Sequence, residues 1–387
     1  MAISYSEFDS TAGTVVRDIK DFILTNSDWT YLGDPNSIGT LASPLAAGAT
    51  SITFSATPVG LDVGSVVRIG TYASNVFEYR VLTAVTSTVI TWSSPLLNSY
   101  AAATPIYWGN EVLRTTTSRG ANIIFDLTGS ADVNTMRLPI KVLGGWSAPS
   151  GTIPGISTGG SVPKYLYWKR TAGSLTNVVH CTVSISKEHV FIMIEGPRGS
   201  ETGAQNSSYG SQRNYFFIAD LVPYSASDSI SAVVTGGTPT DTNDSSIANR
   251  NFVVNISKSI TGTKNWVEGK LLTLQVPNVG TSDTVGVQRF STIEDEFYFA
   301  PYVVSSDEAG FRGRLNNIYN AGLNGADNPE GMFPSVGAEL TYAGGTYILT
   351  AVNKSDATSR NWGPLGMVGN DSASSFWKSP IVAIPKA

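Results

Sequence analysis

Two histidines, His180 and His189, and one cysteine, Cys181, are all that the chain offers as imidazole bases or soft metal ligands. They supply at most three ligands, and no Cys-x-x-Cys or His-x-x-x-His spacing accompanies them, so the pattern argues against a zinc site. Cys181 lies within a stretch of alternating apolar residues and reads as a small buried hydrophobe. The densest carboxylates are Glu294, Asp295 and Glu296 with Asp307 and Glu308. Two carboxylates facing each other across a groove are what glycoside hydrolysis requires. Beside Phe297-Tyr298-Phe299, however, the first group reads more simply as a solvated turn before a strand. Asp241-Thr242-Asn243-Asp244-Ser245 begins like a calcium loop but puts Ser246 at the glycine position and Phe252 where a bidentate glutamate belongs. No phosphate-binding glycine loop, dinucleotide fingerprint or Gly-x-Ser-x-Gly elbow is present. Arg312-Gly313-Arg314, close to Phe311 and Tyr319, is the clearest polar and aromatic cluster. Arginine grips carboxylates through paired hydrogen bonds, which favours an intersubunit contact there over a ligand site. The expectation is a chain with no catalytic residues, no metal and no cofactor, and not an enzyme.

Composition points the same way. Only 14% of the 387 residues are charged, against 38 glycines and 8 tryptophans, which leaves few groups to tune in a cleft. The formal net charge is −5, and Lys169-Arg170 is the longest basic run, so direct nucleic-acid binding is not expected. A lone cysteine excludes an intrachain disulfide framework. Residues 1–10 lack the basic start and apolar stretch of a secretory signal. No apolar run approaches the ~18 residues of a membrane helix, so neither processing by that route nor a membrane span is expected.

Hydrophobic periodicity predicts a single convincing helix over 12–25, with Val15, Val16, Ile19, Phe22 and Ile23 on one side and Arg17, Asp18, Lys20 and Asp21 on the other. Trp29, Tyr31 and Leu32 follow as an extended aromatic segment. Between 41 and 108 the texture changes to short strands at 49–55, 66–69, 77–84 and 88–92. This predicts a small β-domain inserted into a discontinuous parent. Longer strands are predicted at 122–127, 138–142, 165–169, 178–186, 189–195, 214–221 and 230–234. Those at 189–195 and 214–221 contain continuous apolar runs and should be covered on both faces. Residues 144–160 read as a long loop and 312–320 as a short helix. Further strands are predicted at 252–256, 271–275, 296–304, 339–342, 346–352 and 381–384. Gly344-Gly345 marks a tight hairpin between the strands at 339–342 and 346–352. The expected fold is mainly β, a multidomain β-sandwich or barrel architecture with one short N-terminal helix and an inserted small β-domain. Its expected parts are 1–40, 41–108, 109–240 and 241–387, the first belonging to the main body.

Five stretches resemble structural proteins of tailed-bacteriophage virions, of tail or baseplate type. They are the helix ending in Asn26-Ser27-Asp28-Trp29, the insert beginning Leu45-Ala46-Ala47-Gly48-Ala49-Thr50, the segment Thr115-Thr116-Thr117-Ser118-Arg119-Gly120, and the pair 189–198 and 214–224. The resemblance implies a β-rich subunit present in several copies around a tail axis. It would touch copies of itself and other tail or baseplate proteins, and connect the tube or hub to peripheral parts. It would be located in the virion after assembly in the host cytoplasm. The resemblance brings no motif of functional residues. Aromatic and arginine side chains dominate interface cores, so Trp29, Tyr31, Arg312 and Arg314 are the expected contact residues. Two other readings compete: a glycan-binding receptor-recognition protein of the tail tip, and a cell-envelope polysaccharide hydrolase using Glu294 or Asp307.

Overall fold

A computed structural model describes residues 3–33, 37–55, 60–127, 137–148, 155–161, 164–167, 178–195, 214–228, 233–236, 254–256, 267–273, 296–306, 310–324, 339–342, 344–351 and 381–386. The chain is mainly β, with several antiparallel sheets and, among the described residues, one α-helix, Val15–Asn26.

Among the described residues the largest sheet has 13 strands. From one edge it runs Ser4–Thr11, Val178–Ile185, His189–Glu195, Asn214–Ala219, Val233–Gly236, Val254–Ile256, Val267–Thr273, Glu296–Ser306 and Gly310–Asn324, then Ile381–Pro385, Gly345–Ala351 and Glu339–Tyr342. Leu221–Pro223 also pairs with Gly310–Asn324. The continuous apolar runs make this sheet a wall between two cores. Along His189–Glu195, Val190, Ile192 and Ile194 enter one core while Phe191 and Met193 enter the other. Phe216 and Ile218 divide from Phe217 and Ala219 in the same way. A period of two on a strand buried from both sides requires this split.

The first core is closed by the helix and by a five-stranded sheet ordered Lys164–Tyr167, Arg137–Leu143, Asn122–Asp126, Val112–Thr116 and Thr30–Tyr31. The helix docks Val15, Val16, Ile19 and Ile23, each at most 6% exposed. Tertiary packing supplies the stability that twelve residues lack in isolation. Ile19→Ala is expected to lower the unfolding free energy by about 2–5 kcal/mol, measured by guanidinium titration, because it empties a fully enclosed site. The second core lies on the opposite face, where Val267, Tyr302, Val304, Leu315, Ile318, Ile348 and Ile384 gather with Phe191 and Phe217.

The insert leaves after Thr30–Tyr31 and returns at Val112–Thr116, two strands that pair directly, with the Leu32 amide donating to the Val112 carbonyl at 2.8 Å. It holds a four-stranded sheet, ordered Ser37–Thr40, Pro105–Trp108, Val66–Thr71 and Val76–Val81. A three-stranded sheet of Ser51–Thr53, Val89–Thr91 and Ala84–Val85 faces its own core around Ile52, Phe54, Ile69 and Trp92. Pairing thus begins at Ser37, ahead of the expected start at 41. Phe77 and Tyr79 reach out of the insert into the first core of the body, so the insert is fused to the body along one side.

Several expectations are corrected. Residues 312–320 lie in the strand Gly310–Asn324, paired with Glu296–Ser306 through two register shifts. The helix-like spacing of Leu315, Ile318 and Tyr319 gives way to long-range pairing in a segment whose Gly313, Asn316 and Asn317 are poor helix formers. Within 144–160 a small hairpin forms, Gly145–Ser147 against Ile156–Thr158, and Trp146 Nε1 donates to the Leu32 carbonyl at 3.1 Å. The strand Ser4–Thr11 was not anticipated. Its polar residues pair over an eight-residue register with Val178–Ile185, which lies far away in sequence. The boundary expected at 240/241 lies outside the described residues, and the strands on either side of it, Val233–Gly236 and Val254–Ile256, pair with each other. Gly344 has φ 83° in the hairpin that joins Tyr342 to Gly345, the left-handed position that glycine favours. Among the described residues no helix is long and apolar enough to cross a membrane.

Candidate functional site

Among the described residues, a dense group of ionisable side chains lies where the helix, the insert and the body meet. Glu111, on the three-residue link between the last insert strand, Pro105–Trp108, and Val112–Thr116, is wholly buried. Its Oε2 accepts from Lys20 Nζ at 3.1 Å. Its Oε1 accepts from the Tyr79 hydroxyl at 2.9 Å and from the Tyr72 hydroxyl. Arg68 Nη1 lies 3.7 Å from the same oxygen. The Arg68 guanidinium is stacked between two rings, 3.7 Å from the Tyr72 centroid and 4.3 Å from that of Tyr107. Lys20 Nζ sits 4.0 Å from the Tyr72 ring and 4.9 Å from that of Tyr31, so aromatic faces take up part of the cationic charge. Arg17, one turn earlier, donates to the Tyr72 carbonyl at 3.4 Å and to the Asn75 side chain.

Burial pushes the Glu111 carboxyl up, but Lys20, the Tyr72 hydroxyl and Arg68 outweigh it and hold the group below the usual carboxylate range. Burial lowers Lys20 against the pull of Glu111. Burial and the Glu111 charge push Tyr31, Tyr72 and Tyr79 up, so their hydroxyls stay protonated and remain donors. The carboxylate is ionised and enclosed, and both its oxygens are engaged. Chemically it is suited to holding three elements together and is poorly placed to take a proton from a solute.

A second joint ties the hairpin after Val112–Thr116 to the large sheet. The Ser118 amide and hydroxyl donate to Glu188 Oε1 at 2.9 and 2.6 Å. Arg119 Nε reaches Asp220 Oδ2 at 2.9 Å, and Nη2 bonds the other oxygen. The Asp220 amide donates to the Glu188 carbonyl at 2.7 Å, which closes the group. Within the insert, Glu78 and Arg80 pair with no solvent exposure, and Glu78 receives the amides of Leu97 and Asn98 and the Tyr100 hydroxyl.

His189 is the one buried imidazole among the described residues. Its Nδ1 lies 2.9 Å from Ser186 Oγ and its Nε2 3.0 Å from Ser184 Oγ. Ser184 Oγ donates to the Pro385 carbonyl at 2.6 Å, so Nε2 must be the donor in its own contact with Ser184. The serine proton therefore points away from the ring, and the pair is not arranged as nucleophile and base. Burial lowers the imidazole pKa to about 3. Between that value and the unfolded value near 6.5 the unfolded chain holds the extra proton, so stability falls as pH falls through this window. From pH 6.5 to 5 the loss from this group is expected to be about 2 kcal/mol, and equilibrium unfolding of His189→Gln should lack that increment.

The expected contact residues are placed as follows. Trp29 is 4% exposed, donates Nε1 to the Ser186 carbonyl at 2.9 Å and meets Phe125 edge-on at 5.0 Å, so it is a core residue and no surface anchor. Arg312 is likewise corrected. It is 1% exposed and holds Asp228 through two hydrogen bonds of 2.5 and 2.7 Å, which secures the 224–228 turn. Tyr31 is half-buried against Lys20, and Arg314 is exposed. His180 and Cys181, adjacent in sequence, point to opposite faces. His180 meets Asp9 at 2.9 Å, and Cys181 is enclosed with its thiol pushed up to about 12 by burial. No group of three or more potential metal ligands occurs among the described residues. Glu294, Asp307 and the 241–245 loop lie outside the described residues.

Lys20, Arg68 and Glu111 escaped the sequence reading. The sequence places Lys20 on the polar side of the helix, but it shares the buried face with Val16 and Ile23, at i+4 and i−3. Arg68 interrupts the apolar run Val66 to Ile69, and that interruption was the legible signal. No family model matches the chain, and no curated protein matches it.

Proposed function

We propose that this chain is a structural subunit of a bacteriophage virion, of tail or baseplate type, which self-associates around the tail axis and connects the tube or hub to peripheral parts. The observation that carries the reading is the joint at Glu111. Lysine, arginine, glutamate and tyrosine, the residues an enzyme would place in an open cleft, here converge on one enclosed carboxylate that fastens an insert to a β-body. The joint formed by Arg119, Glu188 and Asp220 and the pair Arg312–Asp228 follow the same plan, with charge used to hold segments in place. A subunit that works by contact needs its surfaces held rigidly with respect to one another, and buried directional bonds between elements provide that. The resemblance of 189–198, 214–224 and the helix to tail proteins supports the same role. Native mass spectrometry of the purified chain tests it. A closed ring of three or six copies, or such a ring formed on adding tail extract, is the expected outcome. A monomer in both conditions that cleaves envelope polysaccharide would overturn it.

A further inference from the structure

Apolar contacts already fasten the insert to the body, since Phe77 and Tyr79 lie in the first core with Val66 and Tyr72 against it. Contacts of that kind are non-directional and tolerate sliding and repacking. The Glu111 carboxylate is different. Its partners come from two segments that no local sequence holds together: Lys20 from the helix, and Arg68, Tyr72 and Tyr79 from the insert hairpin of Val66–Thr71 and Val76–Val81. Rotating the insert on the helix would misalign these hydrogen bonds, which weaken steeply with angle, and would strand buried charge. An ion pair in such a place adds little net stability over apolar residues of the same volume. Arg68 carries part of that burden, because its Nε and Nη1 are buried with no hydrogen-bond partner. A costly arrangement of this kind is best explained by the geometry it enforces.

We infer that the Glu111 joint sets the orientation of the insert relative to the helix and the large sheet, with Glu111, Lys20 and Arg68 as positioning residues. The inference deepens the assembly reading by naming what is aimed: the insert, which exposes the apolar side chains of Val63, Val76, Val81 and Leu97. It is tested on the isolated chain, so it can fail while the assembly reading stands, and the converse also holds. Spin labels at Val63→Cys and Val178→Cys, both exposed positions, report the distance between insert and body in the full-length chain. The native Cys181 has no solvent exposure and stays unlabelled. The parent is expected to give one narrow distance distribution. In the combined variant Lys20→Met, Arg68→Met, Glu111→Leu the thermal midpoint should stay within about 5 °C of the parent. Its distribution should widen about twofold or shift, as the directional bonds are gone. An unchanged narrow distribution in that variant would overturn the inference, as would a broad one in the parent. Should the combined variant fail to fold, Tyr72→Phe with Tyr79→Phe removes two hydroxyl donors and keeps both rings. The same widening is expected there, and its absence would be equally contrary.

Discussion

Glu111→Gln is expected to lower the unfolding free energy by about 3–5 kcal/mol, because it leaves Lys20 and Arg68 buried without an anionic partner. The carbon skeleton of the side chain is preserved, so the loss would measure uncompensated charge with little contribution from a cavity. The amide keeps one accepting oxygen, but its NH2 group turns a donor toward groups that themselves donate to Glu111. Unfolding followed by tryptophan fluorescence in guanidinium is the direct measurement. A loss below about 1 kcal/mol, the range of exposed pairs, would show that solvent reaches the carboxylate. Together with the combined apolar variant this separates two roles of the joint. Breaking it from one side should be severe, whereas replacing it entirely should leave the fold intact and the insert free to turn.

The second large effect is expected at Arg312. Arg312→Ala removes a forked hydrogen bond to Asp228, whose side chain is 2% exposed, and takes away the guanidinium paired with that enclosed carboxylate. A loss of about 3–5 kcal/mol is expected, again by chemical denaturation. The local consequence is release of the 224–228 turn, which is otherwise tied to Gly310–Asn324 by the Tyr224 amide and the short strand Leu221–Pro223. Faster amide hydrogen exchange confined to residues 221–228 would mark that release. Uniform exchange across the chain would instead indicate global destabilisation. Arg314→Ala, at the exposed neighbouring arginine, should change stability by less than about 0.5 kcal/mol.

The sequence revealed most where periodicity reports burial. The runs Val190 to Ile194 and Tyr215 to Ile218 announced strands covered on both faces, and they form the wall between the two cores. The helix and its stripe of Val15, Val16, Ile19 and Ile23 were legible for the same reason. What escaped detection was decided by distant partners. Ser4–Thr11 is polar and becomes a strand because Val178–Ile185 accepts it in register. The segment 312–320 has helix-like spacing, yet Glu296–Ser306 and Ile381–Pro385 pair with it. The joint was the least legible of all. Lys20, Arg68 and Glu111 come from three separated segments, and each alone looks like a solvated charge. Trp29 and Arg312 misled in the opposite direction. Aromatic and arginine side chains anchor interfaces, but their size and hydrogen-bonding capacity suit the interior equally well when a carbonyl such as that of Ser186 or a carboxylate such as that of Asp228 is within reach.

Under the proposed function the chain acts by what it touches in a larger particle. Quantitative mass spectrometry of density-purified virus particles from cells producing the chain addresses this most directly. The expected result is a fixed copy number per particle, three or a multiple of three, alongside tail proteins. Its absence from those particles, with the chain recovered instead as a free protein, would contradict the claim.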